Sequence, residues 1–519
     1  MDLSPRENEN RIDRPAIRAS IHVGASAISM LILDCSDLKQ PTPLEFLEQP
    51  LPLGRDIFSK GAVSRATTER AVEILTGYLV SLRELGAGPS DISRVVVSNI
   101  LSEATNKEAV SNRLAVATDL AIEILDDGEM TRLVYLKTLR RLHEIDSMKK
   151  KVTLVAHVGP GNTRALLFAK GHIDEYESYR LGTHRTAEII DASFTEGEAQ
   201  LRLIRDNASG PVSRIQFDLR EHKVEELVLI GYEIQLLAPY LLKSENSTRC
   251  TLKALRTLCQ EAALLPEDQR AAAYQLDYHT ADALLPALQI NLSIAEAFGV
   301  KHVHIPTSDY ERGLLHDLPF SAGLTREFES EVIRSAKNLA EKYETHSGHG
   351  EQVAFLCKRL FEETQELHHL SEQDGLLLHV AAIVHEVGGF VSPHSHHKHS
   401  QYLILNSEIF GLSERERTLV ALISRYHRMS PPKPTHMRYQ ALRHPERIRV
   451  SKLAALLRVA DALERTHSSR VKDLSATIVK DKFVLRLKGI PDATAERLAL
   501  EGKANLFRDI FGLEVIISE

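Results

Sequence analysis

The stretch IHVGASAISMLILDC, Ile21 to Cys35, is an apolar run, a glycine turn and a second apolar run. Its reading decides the fold, because a near-copy follows as VAHVGPGNTRALLFAKG, Val155 to Gly171. The histidines two residues before each first glycine, His22 and His157, lie 135 positions apart (157 − 22). A repeat of that period predicts two similar α/β lobes facing one cleft. Ligands of α/β folds sit in the crevice beyond the strand ends, and glycine lets a backbone approach a phosphate closely. A site handling phosphate with magnesium wants a carboxylate where each histidine stands.

Composition bounds the rest. A chain of 519 residues is too long for one core and predicts two to four domains. With 43% hydrophobic and 26% charged residues it is ordinary globular material. A net charge of −7 leaves no global basic footprint for DNA or an anionic membrane, although a local basic cleft could still bind a polyanion. The four cysteines are scattered, which suits a reducing cytoplasm and argues against a disulfide framework. The polar start, MDLSPRENENRIDRP, lacks a signal-peptide core, and no apolar run approaches membrane-spanning length. The expected location is the cytoplasm.

Outward from the first glycine turn, strands and helices alternate from Ala16 to about Arg141. TTERAVEILTGYLVSLRELG puts Ala71, Ile74, Leu75, Tyr78, Leu79 and Leu82 on one helical stripe. The pattern restarts at Lys151 and adds the strand ELVLIG and the helix ADALLPALQINLSIAEAFG. Beyond about Thr325 strands vanish and five helical segments follow, two with capping boxes, Ser371 with Asp374 and Ser413 with Glu416. Segregation of this kind means separate domains. The C-terminal stretch reads as a hairpin plus helix. The expected division is a disordered tail at 1–14, one lobe at 15–145, a second at 146–322, a helical domain at 323–470 and a small α/β cap at 471–519.

Several segments together resemble the exopolyphosphatase/guanosine pentaphosphate phosphatase (Ppx/GppA) family. HVGASAISMLIL is similar to its first phosphate loop, SNILSEATNKEAV to its catalytic-glutamate segment and HVGPGNTRALLF to its second phosphate loop. HEVGGFV, HHKHSQYLI, GLSERERTLVALISRYHR and LLRVADALERTH resemble its HD-like helical domain, and KANLFRDIFG its C-terminal segment. The resemblance implies α/β plus all-α architecture: two actin-like (ribonuclease H-like) lobes, a helical HD-like domain and the small cap. It also implies hydrolysis of terminal phosphoanhydride bonds of polyphosphate or a pppGpp-like nucleotide, a divalent ion (magnesium or manganese), and a homodimer.

In the α/β cleft, such chemistry needs backbone donors for anionic oxygens, a divalent ion and a carboxylate to orient water. The candidate cradle is Gly24, Ser26, Gly159, Gly161, Asn162 and Thr163. Glu103 in LSEATN matches the family's catalytic glutamate; without the resemblance, a lone glutamate after a strand reads as a solvated surface group. The departures fall on the metal. The family has aspartate where His22 and His157 stand, and a glutamate where Arg164 stands. Its arginine before the catalytic glutamate is Ser102, and its glycine-rich third loop is IGYEIQ. His22, His157 and Arg164 could bind phosphate directly as cations. Three readings stay open here: hydrolysis with unusual ligands, binding without turnover, or a scaffold.

The helical domain offers a second candidate site. HD-type phosphohydrolases hold divalent ions with a His, a His-Asp pair and a later Asp, and this chain has His349, the pair His385–Glu386 and Asp461 in that order. His399 and His427 are further candidates. Asp461 edges an apolar stripe, where an unpaired carboxylate is costly. Histidine and carboxylate together suit zinc, manganese or iron. A metal phosphohydrolase regulated by degenerate lobes is therefore an alternative, beside structurally satisfied histidines.

Overall fold

The structure, a computed structural model, describes residues 16–518 apart from 38–40, 143–149, 192, 194, 243–246, 307–314, 316–325 and 344–346. The tail expected at 1–14 and the boundaries expected near 145 and 322 lie outside the described residues. The chain divides into two compact units: residues 324–519 with 127–132 and 172–176, and the remainder.

In the larger unit the apolar runs become strands. β1 (Ile17–Val23) and β2 (Ala27–Asp34) pair antiparallel across the first glycine turn, with His22 opposite Ser29. β3 (Thr42–Pro50) pairs with β2, while β4 (Ile92–Val97) runs parallel to β1 and β5 (Ile122–Ile124) parallel to β4. A second sheet contains β6 (Thr153–Val158), β7 (Thr163–Ala169), β8 (His172–Tyr179), β9 (Glu226–Ile230), β10 (Arg249–Thr251) and β11 (His302–His304). The first sheet has the order β3-β2-β1-β4-β5, and the second, read from its β8 edge, β8-β7-β6-β9-β11-β10. Each glycine-turn strand thus has its hairpin partner on one side and a parallel strand on the other. The sequence repeat is a repeat of topology.

Helices cover these sheets with the faces their sequences dictate. Arg65–Glu84 buries Ala71, Ile74, Leu75, Tyr78, Leu79 and Leu82, and Ser64 caps it by accepting from the Thr67 amide. Tyr78 carries its hydroxyl into the core and donates it to the Ile28 carbonyl at 2.7 Å. Tyr278–Ala297 is apolar around most of its surface and accordingly sits inside the second lobe's core. After β9 the chain turns at Gly231, where a Cβ would meet the Val158 carbonyl oxygen at 2.5 Å. The turn leads into the short helix Tyr232–Leu236 and buries Glu233, which accepts a 2.9 Å hydrogen bond from the Thr183 hydroxyl. Burial pushes the Glu233 carboxyl up to about 7.

The second unit is mainly helical, with Arg326–Lys342, Ser347–Glu363, Glu372–Val384, His396–Leu405, Glu414–Arg425 and His444–Leu463. Both expected capping boxes close reciprocally, at Ser371/Asp374 and Ser413/Glu416. The C-terminal segment forms the expected hairpin, β12 (Asp473–Val479) with β13 (Lys482–Lys488). It adds β14 (Glu514–Ile517) parallel to β13, a strand the sequence reading did not contain. Arg458 is buried inside this unit. Its guanidinium donates to the carbonyls of Lys503 (2.8 Å), Met429 (3.2 Å) and Tyr426 (3.3 Å), and to Asn505 Oδ1 (3.0 Å). Among the described residues no helix is long and apolar enough to cross a membrane.

Two outcomes follow. Arg458→Met fits the space but leaves four acceptors without their donor. It should destabilise the protein by about 3 kcal/mol, read as a lower thermal midpoint by calorimetry; an unchanged midpoint contradicts the pinning role. Glu233 ionises at roughly 4.3 when unfolded, so its folded value is raised. Its stabilising contribution is complete below that pH and is lost as pH rises through about 7. Glu233→Gln should therefore remove a decline in stability on the order of 3 kcal/mol between those limits. Denaturation of both proteins at acid and alkaline pH checks this, and parallel curves would refute it.

Candidate functional site

Glu103 closes the 3₁₀ turn Asn99–Glu103 that follows β4. Its carboxylate takes two hydrogen bonds from Arg185 Nη2, at 2.6 and 2.8 Å, and lies 3.5 Å from Arg180 Nη2. The same Arg185 donates Nε to the Gly161 carbonyl at 3.0 Å and lies over the Phe58 ring at 4.7 Å. One guanidinium therefore joins the candidate carboxylate to the second glycine turn.

Local packing explains why Arg185 is there. The helix Thr183–Asp191 starts against the second turn: the Thr183 amide donates to the Gly159 carbonyl (3.0 Å) and the Arg185 amide to the Pro160 carbonyl (3.1 Å). Gly182 makes that approach possible, since a Cβ there would lie 2.3 Å from the Pro160 oxygen. Between them, His184 Nε2 is 2.7 Å from Ser26 Oγ of the first turn and 3.5 Å from Glu233. The first turn is braced by the Gly54 amide, which donates to the Ala25 carbonyl at 2.8 Å. Both glycine turns and Glu103 thus converge on the start of one helix.

The remaining cleft candidates form its walls. The Gly24 amide closes its turn on the Ala27 carbonyl, and the Gly159 amide on the Asn162 carbonyl, at 2.8 and 3.0 Å. His22 and His157 pack under their own turns, with Cε1 3.4 and 3.3 Å from where a Cβ on Gly24 or Gly159 would sit, and both are buried. Thr163 is buried and donates its hydroxyl to the Leu181 carbonyl at 2.7 Å. Arg164 is buried opposite His157 across β6 and β7. The positions of His22, His157 and Arg164 offer magnesium no carboxylate; carboxylates near the turns, Glu188, Asp191 and Asp282, line a cavity with Ser26 and His184. Imidazoles and a guanidinium stand at the strand positions, and Glu103 is engaged by arginine. Sequence reasoning missed Arg180 and Arg185; their signal is the pair of arginines around Gly182 in YRLGTHR.

The helical unit brings its own candidates together. His349, His385 and Asp461 are buried, with ligand atoms within 4.8 Å of one another, and His349, Glu386 and His467 form an overlapping group. His349 Nε2 lies 3.7 Å from Asp461 and 3.8 Å from Glu386, and its ring stacks on His467 at 3.8 Å. His385 Nδ1 hydrogen-bonds the Ala382 carbonyl at 2.7 Å, and its buried Nε2 has no hydrogen-bond partner among the described residues. His427 Nδ1 does the same to the Ser424 carbonyl at 2.6 Å, and its Nε2 is 3.2 Å from His396 Nε2. The Lys503 ammonium contacts Asp461. Burial alone would raise the Asp461 carboxyl, but His349, Lys503, His427 and His385 hold it well below the ordinary range. Burial pushes His385 and His427 down. His399 is half-buried and belongs to neither group; His396, earlier on the same helix, is the one that meets His427. His396 and His467 were not among the sequence candidates.

The position of His396 depends on another glycine. A Cβ on Gly388 would lie 2.1 Å from the His396 carbonyl oxygen and 2.2 Å from the Ser400 amide. Ser400 Oγ ties the same turn, accepting from the Gly388 amide (2.9 Å) and donating to the His385 carbonyl (2.7 Å).

Similarity to known proteins agrees with the repeated-lobe architecture. The chain is 22% identical over 411 residues to a guanosine-5'-triphosphate,3'-diphosphate pyrophosphatase of Aeromonas hydrophila subsp. hydrophila, covering 78% of this chain and 79% of that protein. It is 19% identical over 490 residues to the protein of the same name from Photobacterium profundum, covering 90% and 91%. The crystal structure of an exopolyphosphatase from Cytophaga hutchinsonii superposes with a TM-score of 0.50 at 16% identity, over 59% of this chain and 98% of that one, which shows a shared fold. Residues 333–505 match Ppx/GppA phosphatase, domain III. Residues 32–320, more than half the chain, match the Ppx/GppA phosphatase family, and the chain belongs to that family.

Proposed function

We propose that this chain is a phosphohydrolase releasing inorganic phosphate from the end of polyphosphate or of a pppGpp-like nucleotide, in the crevice where the glycine turns meet Glu103. The observation that carries the reading is the Glu103–Arg185 pair hung from the Gly161 carbonyl. The names of the relatives in Aeromonas and Photobacterium support the substrate class.

The chemistry follows from charge. A terminal phosphate offers Arg185 and Arg180 a stronger partner than one carboxylate, and guanidinium binds phosphate in a fork. Glu103, released from its bidentate contact, then orients a water in line with the bridging bond. Attack forms a P–O bond as the bridging P–O bond breaks. The water's proton passes to Glu103 and the shortened chain leaves as its oxyanion. The arginines neutralise the phosphoryl oxygens as charge spreads over them. The family expectation of a divalent ion would draw on carboxylates beside the turns, Glu188, Asp191 and Asp282, which line a cavity with Ser26 and His184, and no step above uses one. A homodimer and cytoplasmic residence complete the reading and rest on resemblance and composition.

A second reading, a sensor that binds polyanions without turnover, draws support from Glu103 being held by arginine. Phosphate release from polyphosphate and from pppGpp separates the two. Glu103→Gln should lower kcat about 100-fold or more while tripolyphosphate binding persists, and Arg185→Ala should weaken that binding. Release by Glu103→Gln at the wild-type rate sinks the assignment. Binding without release by the wild-type protein selects the sensor, and loss of release on Asp461→Ala alone moves the chemistry to the helical unit.

A further inference from the structure

We propose that Ser26 is a phosphoryl acceptor, with His184 as its base, and takes the terminal phosphoryl group of polyphosphate or of a pppGpp-like nucleotide in competition with water. This rests on the phosphohydrolase reading and adds to it a covalent modification site on the first glycine turn.

The geometry is that of an activated hydroxyl. A serine hydroxyl is a weak nucleophile until a base within hydrogen-bond reach takes its proton. Ser26 Oγ and His184 Nε2 are 2.7 Å apart, inside the range such a pair requires. Ser26 is half-buried, and its main chain is fixed on both sides. The Ser26 carbonyl accepts from the Leu51 amide, the Ala25 carbonyl from the Gly54 amide and the Ala27 carbonyl from the Gly24 amide, each at 2.8 Å. A hydroxyl on a backbone held this way keeps its place relative to a bound phosphate, which in-line attack needs.

His184 is held as firmly. It is buried between Thr183 and Arg185, whose amides donate to the Gly159 and Pro160 carbonyls at 3.0 and 3.1 Å. Its Nε2 is also 3.5 Å from Glu233 Oε1. A proton gained on that nitrogen has a carboxyl group beside it, which offsets part of the cost of a buried imidazolium. The next residue is Arg185, the guanidinium assigned above to the terminal phosphate. That same arginine holds Glu103 through two hydrogen bonds, at 2.6 and 2.8 Å. While the contact lasts, Glu103 does not orient water, and Ser26 with its base in place is the poised nucleophile.

The step involves no oxidation or reduction. The Ser26 Oγ–P bond forms as the bridging P–O bond breaks, the hydroxyl proton passes to His184 Nε2, and the shortened chain leaves as its oxyanion. Arg55, Glu188, Asp191 and Asp282 line the cavity beside Ser26. The phosphoserine meets both signs of charge there, and Arg55, 4.0 Å from Asp191, is the cation that can turn to it.

The full chain is incubated with tripolyphosphate and magnesium, quenched with acid and mapped by peptide mass spectrometry, with inorganic phosphate measured in parallel. Phosphoserine should appear at Ser26. Glu103→Gln should raise its yield, because the competing water is no longer oriented. Ser26→Ala should abolish it, and His184→Gln should slow its formation about 100-fold. Circular dichroism checks that the variants fold; should His184→Gln not fold, the wild type and Glu103→Gln still decide. Absence of phosphoserine at Ser26 in both of these, or its formation at the wild-type rate in a folded His184→Gln, overturns the proposal. Phosphate release with Ser26 unmodified in both proteins overturns the acceptor and leaves the phosphohydrolase reading standing. Phosphoserine without release sinks that reading and supports the acceptor.

Discussion

The cleft depends on one close backbone approach, that of Gly182 to the Pro160 carbonyl, where any other residue would bring a Cβ to 2.3 Å. With that contact made, the next three residues each perform a separate task. Thr183 bonds the Gly159 carbonyl through its amide and Glu233 through its hydroxyl. His184 reaches Ser26 in the other lobe's turn. Arg185 links the Gly161 carbonyl to Glu103. A typical hydrogen bond contributes only about 1 kcal/mol net, so these contacts matter less for their strength than for their geometry. They fix where an anion would meet guanidinium, glycine backbone and carboxylate together.

Gly388 does the same work in the helical unit. Its missing side chain lets the helix His396–Leu405 lie on the turn after His385. Ser400 then fastens the two by bonding to both the Gly388 amide and the His385 carbonyl. The histidines of the two helices are therefore placed by main-chain proximity, and their tautomers are set by carbonyls of the same segments. In both regions a glycine determines which polar side chains meet.

The sequence made the duplicated sheets legible because their central strands are continuous apolar runs. It made the long helices legible because their stripes and capping boxes are local. What it hid was non-local or solvated. β3 and β8 are edge strands rich in charged residues, TPLEFLEQP and HIDEYESY, and present no apolar run. β14 is only four residues long and gains its identity from β13. The Glu103–Arg185 pair joins residues 82 positions apart, which no local pattern can signal. Nor could the sequence tell that His22, His157, Thr163 and Arg164 turn into the walls, because strand alternation gives two faces without naming the one that meets a ligand. His399 stands three residues beyond His396, about 4.5 Å further along the helix, far enough to leave the cluster.

Both regions pair a carboxylate with cationic side chains, one open to a ligand and one buried. In the cleft a carboxylate is held by arginines that an incoming anion can claim. Around Asp461 a buried carboxylate is held by His349 and by the Lys503 ammonium. A buried charge cannot be left alone, and Asp461 has both His349 and the Lys503 ammonium beside it. The main chain at Lys503 is fixed independently, because Arg458 holds its carbonyl at 2.8 Å and Asn505 at 3.0 Å. The Lys503 side chain is one-fifth exposed and has a way out to solvent. A rotamer change at Lys503 can therefore open its contact with Asp461 while the segment stays anchored and His349 stays beside the carboxylate.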